Sequence, residues 1–273
     1  MIHQIDRPDD PRIAGYARVG DHGWLRDRGL FVAEGRLVVS RLLEAWPSAI
    51  ESILVTTTAH AALPAVSATA TPVYVAEASV LQSLTGIDFH RGCLALARRP
   101  QEIDPGSLLA SERLIALEGI ANPDNLGGIF RVAAAFGVRA VLLDPSTADP
   151  LYRKAIRTSM GSVFTVPFAR LHDWPSGLQR LQATGLDVAA LTPSVTAVPL
   201  ADFGSRPTGR LILMLGSEGK GLGAAALAAC DHQVRIPICD DVDSLNVVVA
   251  AGIALHALGS HAEGGVLKRS DRS

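Results

Sequence analysis

The sequence has 273 residues, of which 48% are hydrophobic and 19% are charged. That length accommodates one large or two ordinary domains, at roughly 100–200 residues per domain, and the composition argues against a disordered chain. The formal net charge of −2 argues against a protein coated in basic charge for bulk nucleic-acid binding, although it leaves room for a local basic site.

The cysteines and the apolar runs restrict the class of protein further. Cys93, Cys230 and Cys239 follow no metal-binding spacing, and their odd number favours a reducing compartment. The N-terminal residues are polar and acidic, unlike a secretory signal, and the longest apolar run, 247–255, is shorter than the roughly 20 residues of a membrane span. We therefore expect a soluble, cytoplasmic protein that holds no metal and contacts no membrane.

The first part of the chain, residues 1–99, mixes helical and strand patterns. Residues 35–46 have apolar positions at helical spacing, which predicts one buried face formed by Leu37, Val38, Leu42, Leu43 and Trp46. Short apolar runs predict strands at 52–56, 73–76 and 93–97, with a helical stretch at 77–84. This alternation predicts a small α/β domain.

Residues 98–112 are rich in proline, glycine, serine and charge, which marks a domain boundary, and we place a linker at 100–111. Beyond it, apolar runs predict six strands, at 113–118, 140–144, 163–167, 187–191, 211–216 and 233–238. Helical patterns fall between most of them, at 125–136, 152–159, 175–184, 223–230 and 244–258. The pattern predicts a parallel-sheet α/β domain over 112–262, followed by a loose tail at 263–273.

The last predicted helix, 244–258, is apolar on nearly all sides. Such a helix is either deeply buried or held in an interface. We therefore expect a homodimer that forms through the C-terminal domain.

Three polar segments follow predicted strands, where open α/β sheets bind ligands. The first, 118–138, combines capping residues, glycines that allow close backbone approach and one arginine: Asn122, Asp124, Asn125, Gly127, Gly128 and Arg131. By itself this segment is better interpreted as a capped helix with a solvated arginine than as a functional site.

The other two segments also have structural interpretations. Residues 213–223 form a glycine-rich turn that fails as a phosphate-binding loop, because Lys220 is followed by Gly221 where a hydroxyl is required for Mg²⁺. In residues 234–255, Asp243 or Ser244 is placed to cap the last helix, and Asn246 enters its first turn. A polar asparagine among valines and alanines needs a partner, whether structural or catalytic.

Taken together and in order, the three segments resemble the SpoU/TrmH family of RNA ribose 2′-O-methyltransferases, within the knotted SPOUT superfamily. The family's N-x-x-x-x-x-R motif and phenylalanine-glycine pair are matched by Asn125, Arg131, Phe136 and Gly137. Its G-x-E-G-x-G loop is matched by Gly216, Glu218, Gly219 and Gly221. Its I-P…S-L-N-V run is matched by Ile236, Pro237, Ser244, Leu245, Asn246 and Val247.

The resemblance covers residues 112–259, and a weaker one at 31–39 is similar to the start of the family's small substrate-binding domain. Two positions depart from the pattern: Asn122, where many relatives carry aspartate, and Cys239–Asp240, where a methionine and later a glycine are common. The resemblance implies a C-terminal parallel-sheet α/β domain with a deep trefoil knot, preceded by a small N-terminal α/β domain that binds the RNA substrate.

The resemblance also implies S-adenosylmethionine as cofactor, rRNA or tRNA as substrate, and a set of site residues. The cofactor-binding residues are Thr192, Leu215, Gly216, Gly221, Ile236, Pro237 and Leu245. The catalytic residues are Arg131, Asn125, Glu218, Ser244 and Asn246. The RNA-binding residues are Arg153, Lys154, Arg157 and Ser159, in a stretch (152–162) that contains no acidic residue.

In this family the arginine matched by Arg131 is proposed to activate the ribose hydroxyl. A guanidinium is a poor base, since its pKa exceeds about 12, so we expect Arg131 chiefly to grip the neighbouring phosphate and orient the hydroxyl. Proton removal by Arg131 stays open. So do three other functions: an inactive RNA-binding assembly factor of the same fold, a base-modifying SPOUT methyltransferase, and a generic nucleotide-phosphate enzyme.

Overall fold

The structure is a computed structural model that describes residues 1–63, 70–86, 92–108, 112–205, 209–239 and 241–259. Outside the described residues lie the predicted tail 263–273, the end of the predicted C-terminal domain (260–262) and the last linker residues (109–111). Asp240, one of the departures from the family pattern, lies outside them too.

The chain divides into two compact units that are not continuous in sequence. Unit one consists of Met1–Ile103, Ile120–Ala134 and Ala148–Pro167. Unit two consists of Asp104–Gly119, Ala135–Thr147 and the chain from Phe168 onward. Ile120–Ala134 and Ala148–Pro167 therefore belong to unit one, although both follow the predicted linker. The domain limits at 1–99 and 112–262 stay a prediction.

Unit one contains a five-stranded mixed sheet in the order β1-β4-β3-β5-β2, in which β5 runs antiparallel to both β3 and β2. Its strands are β1 (Ile2–Ile5), β2 (Leu30–Glu34), β3 (Ile50–Thr56), β4 (Val73–Ala76) and β5 (Cys93–Arg98). Its helices are α1 (His22–Asp27), α2 (Arg36–Ala45), α3 (Thr57–Ala61), α4 (Ala78–Thr85), α5 (Pro123–Ala135, to Ala134 in this unit) and α6 (Arg153–Thr158). The predicted small α/β architecture is therefore present, with two strands, β1 and β2, that the sequence patterns did not predict.

Helix α2 confirms the predicted helix but not its whole predicted buried face. Val38, Val39 and Leu42 are buried, whereas Leu37 is 48% exposed. The helix begins only after Gly35, whose φ of 96° turns the chain out of strand β2. Within the helix, Val38, Val39 and Leu42 share the buried face, and Leu37 lies outside it.

Unit two contains a seven-stranded sheet in the order β10-β12-β9-β11-β6-β7-β8, and every strand pair in it is parallel. Its strands are β6 (Arg113–Glu118), β7 (Ala140–Leu143), β8 (Phe168–Arg170), β9 (Leu186–Leu191), β10 (Val198–Pro199), β11 (Arg210–Gly216) and β12 (His232–Arg235). Its helices are α7 (Gly177–Gln182), α8 (Leu200–Gly204), α9 (Ala224–Ala228) and α10 (Val247–Gly259). Successive residues of β6, β7 and β11 are buried, which places both sheet faces under cover and confirms the predicted parallel sheet.

The predicted strand at 163–167 is wrong. Residues Ser162–Phe164 form a 3₁₀ turn, and strand β8 begins only at Phe168. Phe164 is buried against the rings of Phe31 and Trp46, at centroid distances of 5.9 and 5.2 Å. The apolar run 163–167 is therefore buried through an aromatic cluster in unit one and not as a strand. Hydrophobic periodicity alone does not distinguish these two cases.

Three further 3₁₀ helices cover Pro11–Arg18, Pro47–Ala49 and Pro105–Leu108. No helix within the described residues is long and apolar enough to cross a bilayer.

Candidate cofactor and substrate-binding sites

A cavity of about 580 Å³ lies in unit two, where strands β9, β11 and β12 end. Its wall is formed by three segments that are far apart in sequence, 191–193, 215–222 and 236–250. Six of the seven predicted cofactor-binding residues line it: Thr192, Leu215, Gly216, Gly221, Ile236 and Leu245. The predicted catalytic residues Glu218 and Ser244 line it too, while Pro237 does not.

The loop after β11 folds back on itself tightly. A Cβ at Gly216 would lie 2.3 Å from the carbonyl carbon of Gly221 and 2.4 Å from the Leu222 nitrogen. Ser217 and Gly221 exchange backbone hydrogen bonds of 3.2 and 2.9 Å, and Gly221 has a φ of 65°. The loop therefore requires glycine at Gly216 and at Gly221.

Asn246 connects this loop to helix α10. Its Oδ1 accepts a hydrogen bond from the Val248 nitrogen (2.9 Å), and its carbonyl accepts one from the Ala250 nitrogen (2.9 Å), so Asn246 is the N-cap. We therefore correct the expectation that Asp243 or Ser244 caps this helix. The Asn246 Nδ2 donates to Glu218 Oε1 at 2.7 Å, which brings two predicted catalytic residues into direct contact.

This contact predicts the behaviour of Asn246→Asp. Aspartate keeps the helix cap, but it places a second carboxylate against Glu218 where an amide now donates. We expect a loss of about 1 kcal/mol in stability at neutral pH, together with weaker ligand binding in the cavity. Acidification should recover part of this loss, since protonation of one carboxyl restores a donor.

The matched control is the double variant Asn246→Asp with Glu218→Gln, in which the donor and the acceptor are exchanged. Thermal melting at several pH values should rank the double variant above the single variant. Equal melting of the wild type and Asn246→Asp at neutral pH would contradict this interpretation of the pair.

The first polar segment opens helix α5 in unit one. Asn122 is the capping residue, because its Oδ1 accepts from the Asp124 nitrogen (2.9 Å) and its carbonyl accepts from the Leu126 nitrogen (3.0 Å). Asn125 is buried, at 8% exposure, whereas Arg131 is exposed. Within the described part of the chain, no hydrogen bond or ion pair engages the Arg131 side chain, so its guanidinium is available to a ligand.

Two of the three predicted RNA-binding cations are already paired inside unit one. Arg153 Nη1 lies 3.1 Å from Glu34 Oε2, and Lys154 Nζ lies 2.7 Å from Asp124 Oδ2. The hydrogen bond from Lys154 holds the pKa of Asp124 below its usual value. The paired acids, Glu34 and Asp124, lie outside the stretch 152–162. The sequence of that stretch therefore gave no sign of these ion pairs. Arg157 makes no ion pair among the described residues, although its charge also helps to lower the pKa of Asp124.

Ser159 has a structural role, and we correct its predicted contact with RNA. It is fully buried, and its hydroxyl donates to the Ile156 carbonyl (2.8 Å) and accepts from the Gly161 nitrogen (3.2 Å). A Cβ at Gly127 would lie 2.5 Å from the Ala155 carbonyl oxygen, so the close approach predicted at this glycine is to helix α6. Both residues hold α5 and α6 together.

The sequence interpretation missed three charged residues at or beside the cavity. Lys220 and Asp243 line it, and Glu118 ends strand β6 beside the loop after β11. Lys220 and Asp243 lie in two of the polar segments found in the sequence. Lys220 was considered there only as part of a phosphate-binding loop, and Asp243 only as a helix cap. The described residues contain no group of three or more histidine, cysteine, aspartate or glutamate side chains that could hold a metal ion.

The cavity lies at the carboxyl edge of a parallel sheet, which is where α/β enzymes typically bind small molecules. The sequence model of the SpoU rRNA Methylase family matches residues 112–256, which is more than half of the chain. The protein belongs to the SpoU rRNA Methylase family.

Two curated relatives match over almost the whole chain. An uncharacterized tRNA/rRNA methyltransferase of Mycobacterium bovis is 37% identical over 93% of this chain and 91% of its own length. The 23S rRNA (guanosine(2553)-2′-O)-methyltransferase of Bacillus subtilis is 29% identical over 94% of this chain and 99% of its own length.

Solved structures agree with the fold. The rRNA methyltransferase from Sinorhizobium meliloti superposes with a TM-score of 0.81 at 24% identity, covering 96% of this chain and 98% of that one. A second structure from that organism has AdoMet bound and a TM-score of 0.79. A structure described as an RNA 2′-O ribose methyltransferase is 29% identical, with a TM-score of 0.75 and coverage of 94% and 98%. The predicted family and enzyme class, an RNA methyltransferase that uses S-adenosylmethionine, are confirmed.

Proposed function

We propose that this protein transfers a methyl group from S-adenosylmethionine to a ribose 2′-hydroxyl of structured RNA, either rRNA or tRNA, in the cytoplasm. The observation that carries the proposal is the cavity in unit two, where segments of the second and third family motifs meet around one small-molecule site. The names of the relatives support both the reaction and the type of RNA.

The cavity fits the cofactor in size and chemistry. Its volume of about 580 Å³ lies within the range of about 300–1,000 Å³ that is typical of small-molecule sites. Apolar side chains such as Leu215 and Ile236 suit an adenine ring, and the backbone around Gly216 offers donors and acceptors at close range. S-adenosylmethionine, when bound, supplies the activated methyl group. We assign its binding to Thr192, Leu215, Gly216, Gly221, Ile236, Pro237 and Leu245.

The reaction requires that the hydroxyl be aligned and lose its proton as its oxygen is alkylated. We propose that Arg131 grips the adjacent phosphate and orients the hydroxyl, because a guanidinium is a poor base and a good two-point donor. We assign supporting hydrogen-bond roles to Asn125 in unit one and to Glu218, Ser244 and Asn246 in unit two, where Glu218 and Asn246 are in contact. Arg153, Lys154 and Arg157 are proposed to bind RNA phosphates.

We further propose the predicted organisation of the chain: a substrate-binding domain at 1–99, a linker at 100–111 and a methyltransferase domain with a deep trefoil knot at 112–262. Membership of the family supports this proposal. So does the parallel sheet, in which β12 lies between β9 and β10 although it follows both in sequence.

The reaction is tested by incubating the protein with S-adenosylmethionine and candidate RNAs, then digesting the RNA to nucleosides for mass spectrometry. A 2′-O-methylated nucleoside is expected. A methylated base would favour a base-modifying enzyme, and cofactor binding without any product would favour an assembly factor. Calorimetric binding of the cofactor should persist in excess chelator, because the proposed site uses no metal.

We also propose a homodimer through helix α10. Val249 and Ile253 on this helix are 51% and 40% exposed, and Phe136, at 36% exposure, lies with its ring centroid 6.1 Å from that of His256. An exposed apolar strip of this kind is typical of an interface. Sedimentation at micromolar concentration should show a dimer, and Ile253→Glu should shift it to monomer. A monomeric wild-type protein would refute the proposal.

A further inference from the structure

Glu118, the last residue of strand β6, uses both carboxylate oxygens on groups that are distant in sequence. Its Oε2 accepts a hydrogen bond from the backbone nitrogen of Gly223 at 2.7 Å. Its Oε1 accepts one from the indole nitrogen of Trp174 at 2.8 Å. Glu118 is not a lining residue of the cavity, so these contacts do not themselves reach a ligand there.

The hydrogen bond between Gly223 and Glu118 is important because Gly223 lies next to the cavity loop. Gly223 directly follows Leu222, the last cavity-lining residue of the loop after β11. At the other side of that loop, Glu218 is held by Asn246. The Glu218–Asn246 pair therefore holds the first half of the loop, and Glu118 holds its end. The residues from Glu218 to Leu222, between these two points, line the cavity.

Trp174 fixes the carboxylate of Glu118 from the other side. Its ring packs against the core cluster of unit two, which includes Leu222 and Ala226. An indole held by packing offers its N–H in one direction, so it restricts the carboxylate to the orientation that also meets Gly223. A hydrogen bond to a charged acceptor contributes more than one between neutral groups.

We propose that Glu118 is a positioning residue for the cofactor, because it holds the end of the cavity loop through the Gly223 nitrogen while Trp174 orients its carboxylate. This inference rests on the assignment of the cavity to S-adenosylmethionine. Loss of the carboxylate leaves the sheet intact but frees the loop end, so the cofactor must order the loop when it binds.

The test compares Glu118→Gln with Asp231→Asn, using calorimetry with S-adenosylmethionine and thermal melting. Asp231 is a control in the same unit, since its Oδ2 accepts one backbone and one side-chain donor, the Val188 nitrogen (2.8 Å) and Gln182 Nε2 (2.9 Å). Asparagine there keeps an oxygen for both donors but is a weaker, uncharged acceptor, so a small fall in melting temperature is expected. We expect about tenfold weaker cofactor binding in Glu118→Gln and wild-type affinity in Asp231→Asn, with both melting below the wild type. In methylation assays, Glu118→Gln should raise KM for the cofactor more than it lowers kcat.

A milder variant, Trp174→Phe, keeps the packing and removes only the indole donor, so it tests the inference even if Glu118→Gln does not fold. Its cofactor affinity should fall severalfold. Unchanged cofactor affinity in both Trp174→Phe and Glu118→Gln would overturn the inference. It would also be overturned if Asp231→Asn lost as much cofactor affinity as Glu118→Gln for the same fall in melting temperature. Absence of cofactor binding by the wild type would instead overturn the proposed function.

Discussion

Replacing Arg131 by alanine should abolish most methylation while leaving S-adenosylmethionine affinity and melting temperature nearly unchanged. The side chain is exposed and has no hydrogen-bond or ion-pair partner among the described residues, so its removal costs little stability. Loss of one oriented contact to a developing charge typically costs about 2.7–4 kcal/mol, which corresponds to about a hundred- to a thousandfold in rate. Single-turnover methylation and calorimetry measure the two effects separately.

Arg131→Lys is the informative companion variant. We expect poor rescue, because an ammonium cannot reproduce the planar two-point grip of a guanidinium on phosphate and hydroxyl. Near wild-type methylation by Arg131→Ala would show that the role assigned to this residue is wrong. A parallel fall in melting temperature and cofactor affinity would show a structural role instead.

The second large effect is expected at Gly216. An alanine Cβ there would meet the backbone of Gly221 and Leu222 at 2.3 and 2.4 Å, and backbone atoms in a bridged loop cannot move aside cheaply. Overpacking of this kind costs about 1–3 kcal/mol, so cofactor binding should weaken by about fivefold to more than a hundredfold. Calorimetry with S-adenosylmethionine measures the loss.

Gly209, directly before the same strand β11, provides the control. A Cβ there would meet nothing within 4 Å, and its backbone is not in the left-handed region. Gly209→Ala should therefore bind the cofactor like the wild type. If Gly216→Ala also binds normally, the loop is more pliable than its contacts indicate, and the backbone around Gly216 does not determine cofactor binding.

The main features of unit two could be predicted from the sequence because they depend on local pattern. Buried apolar runs such as 211–216 gave the strands of the parallel sheet, and the glycines around Glu218 gave the cavity loop. The run 163–167 failed because an apolar stretch is equally suited to a strand and to an aromatic cluster. The predicted cap of α10 failed because three polar residues compete for it within four positions, and only geometry selects Asn246.

Contacts across long sequence separations were beyond prediction. Glu118 and Gly223 are 105 residues apart, and Arg153 and Glu34 are 119 apart. A single sequence does not show which distant residues meet in the folded protein. Nothing in its local pattern states whether a charge meets solvent, a ligand or a distant acid.

The ion pairs of Arg153 with Glu34 and of Lys154 with Asp124 change what salt should do to RNA binding. Nucleic-acid binding usually gains free energy by releasing condensed counterions, and the salt dependence counts the phosphates neutralised, at about 0.9 per phosphate in duplex DNA and about 0.7 in single strands. Here two carboxylates already serve as internal counterions. In the proposed RNA complex, a phosphate that took their place would displace an acid that stays attached to the protein. Arg153 and Lys154 should therefore add less to the salt dependence than two unpaired cations would.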